Sequence, residues 1–267
     1  MMKVIVMGPR GKMGKLITQV AANRDDMQLV AGVGLKGRDY IGSDLGTVAM
    51  VGKELNVPVV DDLESVIDQC DVIIDFSTKE MAMTVLDLAI AHKKALVCGT
   101  TGFSEEEMNR FKDAALQIPM LYAANTSKLV NIMNKLLELV TKTAGNDLDI
   151  EILEMHDQWK KDAPSGTSKE MGETMAHALG KELSDIAVYG REGASPRVPG
   201  TIGYHSLRAG NIPSSHTVFF GGMGERLEIT HHSYNWECFA RGACDCAAYL
   251  EGKGAGFYTI KDVLNLS

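Results

Sequence analysis

The residues able to do chemistry crowd into one dozen positions, His156-Asp157-Gln158-Trp159-Lys160-Lys161-Asp162-Ala163-Pro164-Ser165-Gly166-Thr167. Histidine titrates near neutral pH, so His156 suits proton transfer. Lys160, four residues on, is a cation that can bind an anion or donate a proton itself. Ser165-Gly166-Thr167 opens a run with helical spacing at Met171, Met175, Ala178 and Leu179, and Thr167 with Glu170 has the form of a capping box. Free N–H groups at such a helix start, together with the helix dipole, favour a carboxylate ligand. Helix capping alone would account for the turn, but for neither His156 nor Lys160. Arg208, in Leu207-Arg208-Ala209-Gly210, is a further candidate for holding a carboxylate.

These groups need elements to position them. The run Asp149-Ile150-Glu151-Ile152-Leu153-Glu154 has strand character and leads to His156, so the cluster lies at a strand-to-helix junction. Small-molecule sites are often built at such junctions. A second junction opens the chain. Lys3-Val4-Ile5-Val6-Met7 leads into Gly8-Pro9-Arg10-Gly11-Lys12-Met13-Gly14, and Leu16, Ile17, Val20 and Ala21 follow at helical spacing. Strand, glycine turn and helix in that order begin a dinucleotide-binding βαβ unit, in which glycines let the backbone approach a pyrophosphate at the helix N-terminus. The spacing is GxxGxxG rather than the commoner GxGxxG, so position supports the reading as much as pattern does. The next strand, 27–33, ends where an acidic residue would bind a ribose 2′-hydroxyl. Gly34 stands there instead, with Lys36 and Arg38 after it. Two cations and no carboxylate predict that NADPH is accepted well, with a preference for it over NADH open.

The alternation continues. A short strand at 57–60 precedes an expected helix through Leu63, Val66 and Ile67, capped at Asp61 or Asp62. Asp71-Val72-Ile73-Ile74-Asp75-Phe76-Ser77 is apolar on both faces, as in a central parallel strand. Ala95-Leu96-Val97-Cys98 is another such strand and ends in Gly99-Thr100-Thr101-Gly102-Phe103, where glycines admit a flat ring and threonines offer hydrogen bonds. Residues 120–125 form one more strand, ending at Asn125-Thr126-Ser127, and a helix spans 130–143. The regular alternation predicts an α/β fold, a doubly wound parallel sheet. Beyond the Gly145-Asn146-Asp147 break come runs at 201–207, 216–221 and 226–232, expected as antiparallel strands of a smaller α+β domain. The alanine-rich stretch 239–250 is helix-like and can return to the first domain.

Composition narrows the function class. The 267 residues are 45% hydrophobic and 23% charged, ordinary for a globular protein with ample core. A net charge of −8 argues against nucleic acid as the main partner. No apolar run is long enough to cross a bilayer. The five cysteines, Cys70, Cys98, Cys238, Cys244 and Cys246, are odd in number and scattered, which suits reduced thiols in the cytoplasm. Cys244-x-Cys246 reads as part of a packed helix, and His231-His232 as strand-end histidines, so no metal site is expected. A nicotinamide domain joined to an acid and cationic anchors implies reduction of a small acidic substrate.

The glycine turn at 8–14, Gly99-Thr100-Thr101-Gly102-Phe103 and Lys160-Lys161-Asp162-Ala163-Pro164-Ser165-Gly166-Thr167 together resemble the signatures of the 4-hydroxy-tetrahydrodipicolinate reductase family of lysine and diaminopimelate biosynthesis. Glu192-Gly193, Arg197-Val198-Pro199-Gly200-Thr201-Ile202-Gly203, Arg208-Ala209-Gly210 and residues 224–231 also match, in order, along essentially the whole chain. The resemblance implies a Rossmann-like domain, 1–127 joined by 237–267, holding NADPH or NADH. It implies a substrate-binding and oligomerisation domain, 128–236, and a homotetramer. His156 would be proton donor or acceptor and Lys160 proton donor. Asp157, Ser165, Gly166 and Thr167 would hold the small dicarboxylate. Gly8, Pro9, Arg10, Gly11, Lys12, Met13, Gly99, Thr100, Thr101, Ala123, Ala124, Asn125 and Thr126 would touch the cofactor. The chain departs from the family pattern at Asp157, where a second histidine is usual and a carboxylate could instead orient His156 or pair with a lysine, at Trp159, at Leu129, and at Asn235-Trp236, where Ser-Arg is common. These departures leave two alternatives open: a paralogous reductase of another cyclic imine or unsaturated acid, and a non-catalytic NADPH-binding sensor.

Overall fold

The computed structural model describes residues 1–266. In chain order its elements are β1 (Met2–Met7), α1 (Lys12–Ala21), β2 (Met27–Val33), α2 (Leu45–Val48), β3 (Val59–Val60), β4 (Val72–Asp75), α3 (Lys79–Ala91), β5 (Ala95–Cys98), α4 (Glu105–Ala114), β6 (Pro119–Tyr122) and α5 (Lys128–Ala144). There follow β7 (Asp149–His156), α6 (Gly166–Ala178), α7 (Leu183–Ile186), β8 (Ala187–Tyr189), β9 (Ile202–Arg208), β10 (Ser214–Gly221), β11 (Arg226–Ser233), α8 (Glu237–Tyr249), β12 (Gly256–Tyr258) and α9 (Ile260–Val263). The chain divides into two compact units, Met1–Lys128 with the segment from Trp236 onward, and Leu129–Asn235.

The first unit is built on a parallel sheet in the order β12-β6-β5-β4-β1-β2-β3. Strand alternation decides its two cores. Val4 and Val6 of β1 join Ile17 of α1 and Ala243, Cys244 and Ala247 of α8 on one face. Ile5 and Met7 join Val85 and Leu86 of α3 and Phe111 of α4 on the other. A sheet buried on both faces explains the unbroken apolar runs at β1, β4 and β5. Strand order reverses between β1 and β4, so the carboxyl ends of these strands, at Met7 and Asp75, flank the crevice where ligands of open α/β sheets bind.

Two expectations fail here. Residues 61–70 form no helix beyond a single 3₁₀ turn, Ile67–Gln69. Leu63, Val66 and Ile67 are buried as foreseen, but the chain must re-enter the sheet at Val72, leaving too few residues for a regular helix. The strand at 57–60 pairs in register with β2 only through Val59 and Val60, since Pro58 has no N–H to offer a ladder. The edge strand β12 and the short helices α2, α7 and α9 carry too few residues for periodicity to reveal.

The second unit is a mixed sheet in the order β11-β10-β7-β9-β8. Of the three runs expected as antiparallel strands, β10 and β11 are antiparallel, to each other and through β10 to β7, whereas the run at 201–207, β9, is parallel to both β7 and β8. A parallel partner needs a crossover of a dozen residues or more, and the 45-residue connection from β7 to β9 provides it. Ile150, Ile152, Val218, Phe220 and Ile202 point inward onto Val130, Met133 and Leu137 of α5 and Met171 and Met175 of α6. Glu154, His156 and His216 lie on that same inward face and are themselves buried.

Candidate active site

The first unit offers a glycine-lined turn between β1 and α1. Gly8 has φ +63°, in the region that favours glycine. A Cβ on Gly14 would fall 2.0 Å from the Gly8 carbonyl oxygen, so helix and turn meet backbone to backbone. Gly11 precedes α1 in extended conformation without a side-chain cap, and no acidic residue occupies the first helical turn. The start of α1 therefore presents N–H groups to an anion with no carboxylate of its own first turn in competition. Pro9 is buried against Gly32, while Met13 packs against the core.

Around the end of β2, a Cβ on Gly34 would fall 2.4 Å from the Tyr40 ring. The position that would carry an NADH-selecting carboxylate is thus closed to any side chain. Lys36 and Arg38 are exposed beside it. Arg10 lies over the Tyr40 ring at 5.3 Å and pairs with Asp39 at 2.6 Å. Lys12 sits 3.5 Å above the indole of Trp236, at the start of α8.

Across the crevice Asp75 is wholly buried and accepts hydrogen bonds from Thr100 Oγ1 at 3.3 Å and Ser77 N at 3.1 Å. Burial pushes its carboxyl up from the usual range. Gly99 backs onto Phe76, since a Cβ there would fall 2.1 Å from the ring. Thr101 faces solvent. Ala123 is buried and bonded through its N–H to the Cys98 carbonyl, and Ala124 is exposed. Asn125 Oδ1 accepts the Ser127 N–H at 2.9 Å. Thr126 is buried and donates to the Phe239 carbonyl at 2.7 Å, with Gly242 closely packed on it. These glycines and hydroxyls form a cradle that fits a dinucleotide.

The second unit gathers the other candidates at the end of β7. Residues two apart on a strand share a face, so Glu154 lies beside His156, and its Oε2 is hydrogen-bonded to His156 Nδ1. Arg208, opposite on β9, donates Nη1 and Nη2 to the two Glu154 oxygens, each at 2.9 Å. Ser165 N donates to Glu154 Oε1 at 3.3 Å. Burial works against the Glu154 charge, but the bonds from His156 and Arg208 outweigh it and hold the carboxyl at about 2. Ser165, not Thr167, is the N-cap of α6: its Oγ accepts from Ser168 N at 3.2 Å. Gly166 opens α6 with nothing within 4 Å of where its Cβ would stand, and Thr167 follows half-exposed. His216 Nε2 lies 3.2 Å from Ser165 Oγ, its ring edge-on to His156 at 5.3 Å.

Three of the candidate side chains have partners within the protein that spacing did not give. Arg208 does bind a carboxylate, but it is that of Glu154. Lys160 is held by Asp162 at 2.8 and 3.1 Å, and the charged partner of His156 is Glu154. Asp157 caps its own turn by accepting the Trp159 N–H at 2.8 Å, so orientation of His156 falls to Glu154. Glu154 is the residue that reading the sequence missed. Its signal was the period-2 spacing Glu154-Met155-His156. Cys244 and Cys246 are packed in the first core, and His231 is buried while His232 is exposed. Among the described residues no three His, Cys, Asp or Glu side chains are grouped to hold a metal.

Comparison with known proteins agrees with both halves. A family model for the N-terminus of dihydrodipicolinate reductase matches residues 2–126, and one for its C-terminus matches 129–264. A 4-hydroxy-tetrahydrodipicolinate reductase of Hahella chejuensis is 42% identical over 267 residues, covering all of both chains. One of Burkholderia ambifaria is 43% identical over 266 residues, covering 99% of this chain and 100% of its own. Among solved structures, dipicolinate-bound dihydrodipicolinate reductase from Paenisporosarcina sp. TG-14 aligns with a TM-score of 0.73 at 26% identity, over 97% of each chain. The chain belongs to the dihydrodipicolinate reductase family, and so to the NAD(P)H-dependent oxidoreductases.

Proposed function

We propose that the protein reduces 4-hydroxy-tetrahydrodipicolinate to tetrahydrodipicolinate, with NADPH or NADH, in lysine and diaminopimelate biosynthesis. The observation that carries this reading is the end of β7, where His156, Lys160 and the open start of α6 are tied together by Glu154, Arg208 and Asp162. The turn Gly8–Met13 holds the pyrophosphate, and Gly99, Thr100, Thr101 and residues 123–126 hold the nicotinamide end. Closure of position 34 by Tyr40, with Lys36 and Arg38 nearby, supports acceptance of the 2′-phosphate of NADPH. When bound, NAD(P)H supplies a hydride.

The N–H groups of Gly166 and Thr167 hold one substrate carboxylate at the positive end of α6. An ionised carboxylate can only accept, so Glu154 fixes the proton of His156 on Nδ1 and leaves Nε2 to exchange a proton with substrate. Loss of the ring hydroxyl as water consumes a proton, which the Lys160 ammonium donates. The outer face of the second sheet leaves Leu153, Met155, Leu207 and Phe219 part-exposed, which supports a homotetramer built through that face. Among the described residues no helix is long and apolar enough to cross a membrane, which accords with a cytoplasmic enzyme.

A coupled assay with freshly generated 4-hydroxy-tetrahydrodipicolinate, followed by NADPH absorbance, tests the reading. Turnover with both cofactors is expected. Tight NADPH binding without turnover would sink it in favour of a sensor.

A further inference from the structure

The geometry points to Glu154 as the positioning residue of this site: one carboxylate sets which nitrogen of His156 is free and ties the anion-binding turn to it. The inference rests on the reading above, that this end of the second unit binds and protonates the dicarboxylate. Glu154 is wholly buried, and its two oxygens take four donors from three parts of the chain: His156 Nδ1 on its own strand, Arg208 Nη1 and Nη2 from β9, and Ser165 N from the start of α6. The chain of bonds continues. Arg208 Nη2 also donates to the Asp162 carbonyl at 2.7 Å, and the Asp162 carboxylate holds Lys160 Nζ. Both proton-handling groups and the turn proposed for the carboxylate are therefore referenced to one buried acid.

The surroundings leave this role to Glu154. Arg208 faces it from β9, His216 from β10 and Ser165 from the loop, with Lys160 and Asp162 beyond. His231, next to His216 across β10 and β11, is also buried. Burial pushes His216 down to about 3, so it adds no positive charge near neutral pH. A buried ion pair kept only for stability can often be exchanged for apolar side chains without loss. Here the carboxylate has a directional task that an apolar side chain cannot perform, because it demands a hydrogen on Nδ1.

Glu154→Gln keeps the shape and removes the charge. We expect kcat to fall by roughly 10²-fold, with the dissociation constant for NADPH unchanged within about twofold. In ¹⁵N spectra of the variant the proton of neutral His156 should no longer be confined to Nδ1, because an amide can present an N–H as well as an oxygen. A slower enzyme in which His156 keeps its proton on Nδ1 would overturn the inference. A second measurement serves if the variant does not fold. In ¹⁵N-histidine spectra of the unaltered protein, with the His156 signal assigned through His156→Gln, Nδ1 should keep its proton while Nε2 titrates. A titrating Nδ1 would overturn the inference. If the unaltered enzyme bound NADPH but did not turn over, the proposed function would fail, and the ¹⁵N spectra would still judge Glu154.

Discussion

The candidate sites of the two units solve opposite problems with opposite materials. In the first unit the cradle is backbone: Gly8, Gly11 and Gly14 bring a turn and a helix start together, and Gly34 and Gly99 let rings close in. The cofactor specificity proposed for it rests on what is missing, namely side chains that would block a phosphate or repel it. In the second unit the site is made of charge. Glu154, Arg208, His156, Asp162 and Lys160 form one bonded chain around the end of β7, buried at Glu154 and His156 and open to solvent at Asp162. Recognition of a cofactor's backbone-shaped, anionic stem tolerates neutral amides. Proton transfer needs titratable groups whose orientation is fixed, and fixing them takes counter-charges.

That contrast can be broken at either end. The largest effect expected is His156→Gln, which should lower kcat by roughly 10²–10⁴-fold while leaving the NADPH dissociation constant unchanged. A loss of cofactor affinity in a titration would show that the halves are not divided as proposed. Gly14→Ala attacks the backbone half. Its Cβ meets backbone that cannot yield, and overpacking costs roughly 1–3 kcal/mol, so NADPH binding should weaken roughly ten- to a hundredfold. Calorimetric binding of dipicolinate should be little altered. Equal damage to both ligands would mean that the cradle is not local.

The charged half should also show itself in stability. His216 is buried and pushed down to about 3 from 6.5, so the unfolded chain binds the extra proton between these values. Stability is therefore complete above pH 6.5 and falls as pH drops toward 3, by about 2 kcal/mol between pH 6.5 and 5. Glu154, held at about 2 against 4.5, contributes a further loss with the same sign from pH 4.5 downward. Urea unfolding followed by circular dichroism should show this slope, and His216→Gln should flatten its upper part. An unchanged slope would mean that other groups set it. The smallest effect is expected at the Lys12–Trp236 contact. Replacing Trp236 with Leu removes a cation–π interaction worth roughly 0.5–1 kcal/mol at an exposed site, so NADPH should bind about two- to fivefold more weakly. In a Trp159→Phe background Trp236 is the sole tryptophan, and its fluorescence should be quenched by NADPH. No quenching would place the indole away from the cofactor.

Much of this was legible in residue order. The apolar runs at β1, β4 and β5 and the amphipathic stretches between them announce a parallel sheet, since burial on both faces leaves no other pattern. The glycine turn and the Pro164-Ser165-Gly166-Thr167 turn stood out because backbone requirements select residue types directly. Direction and length were less visible. Nothing in residues 202–208 says that β9 runs parallel to β7, because a strand carries the same alternation either way. The run at 63–67 has helical spacing, yet too little chain remains before Val72 to complete the helix.

The sequence by itself determined the longer strands and helices, the faces they bury and where the anion-ready turns lie, because these depend on local periodicity and backbone freedom. Only the tertiary structure decided who pairs with whom among the charges. Arg208 is 54 residues from Glu154, and Ser165 is 11 residues away, yet both converge on it. Sequence order does not give distances across strands, and electrostatics depends on distance and burial. So Arg208 became the partner of an internal acid, Asp162 the keeper of Lys160, and Glu154, rather than Asp157, the residue that orients His156.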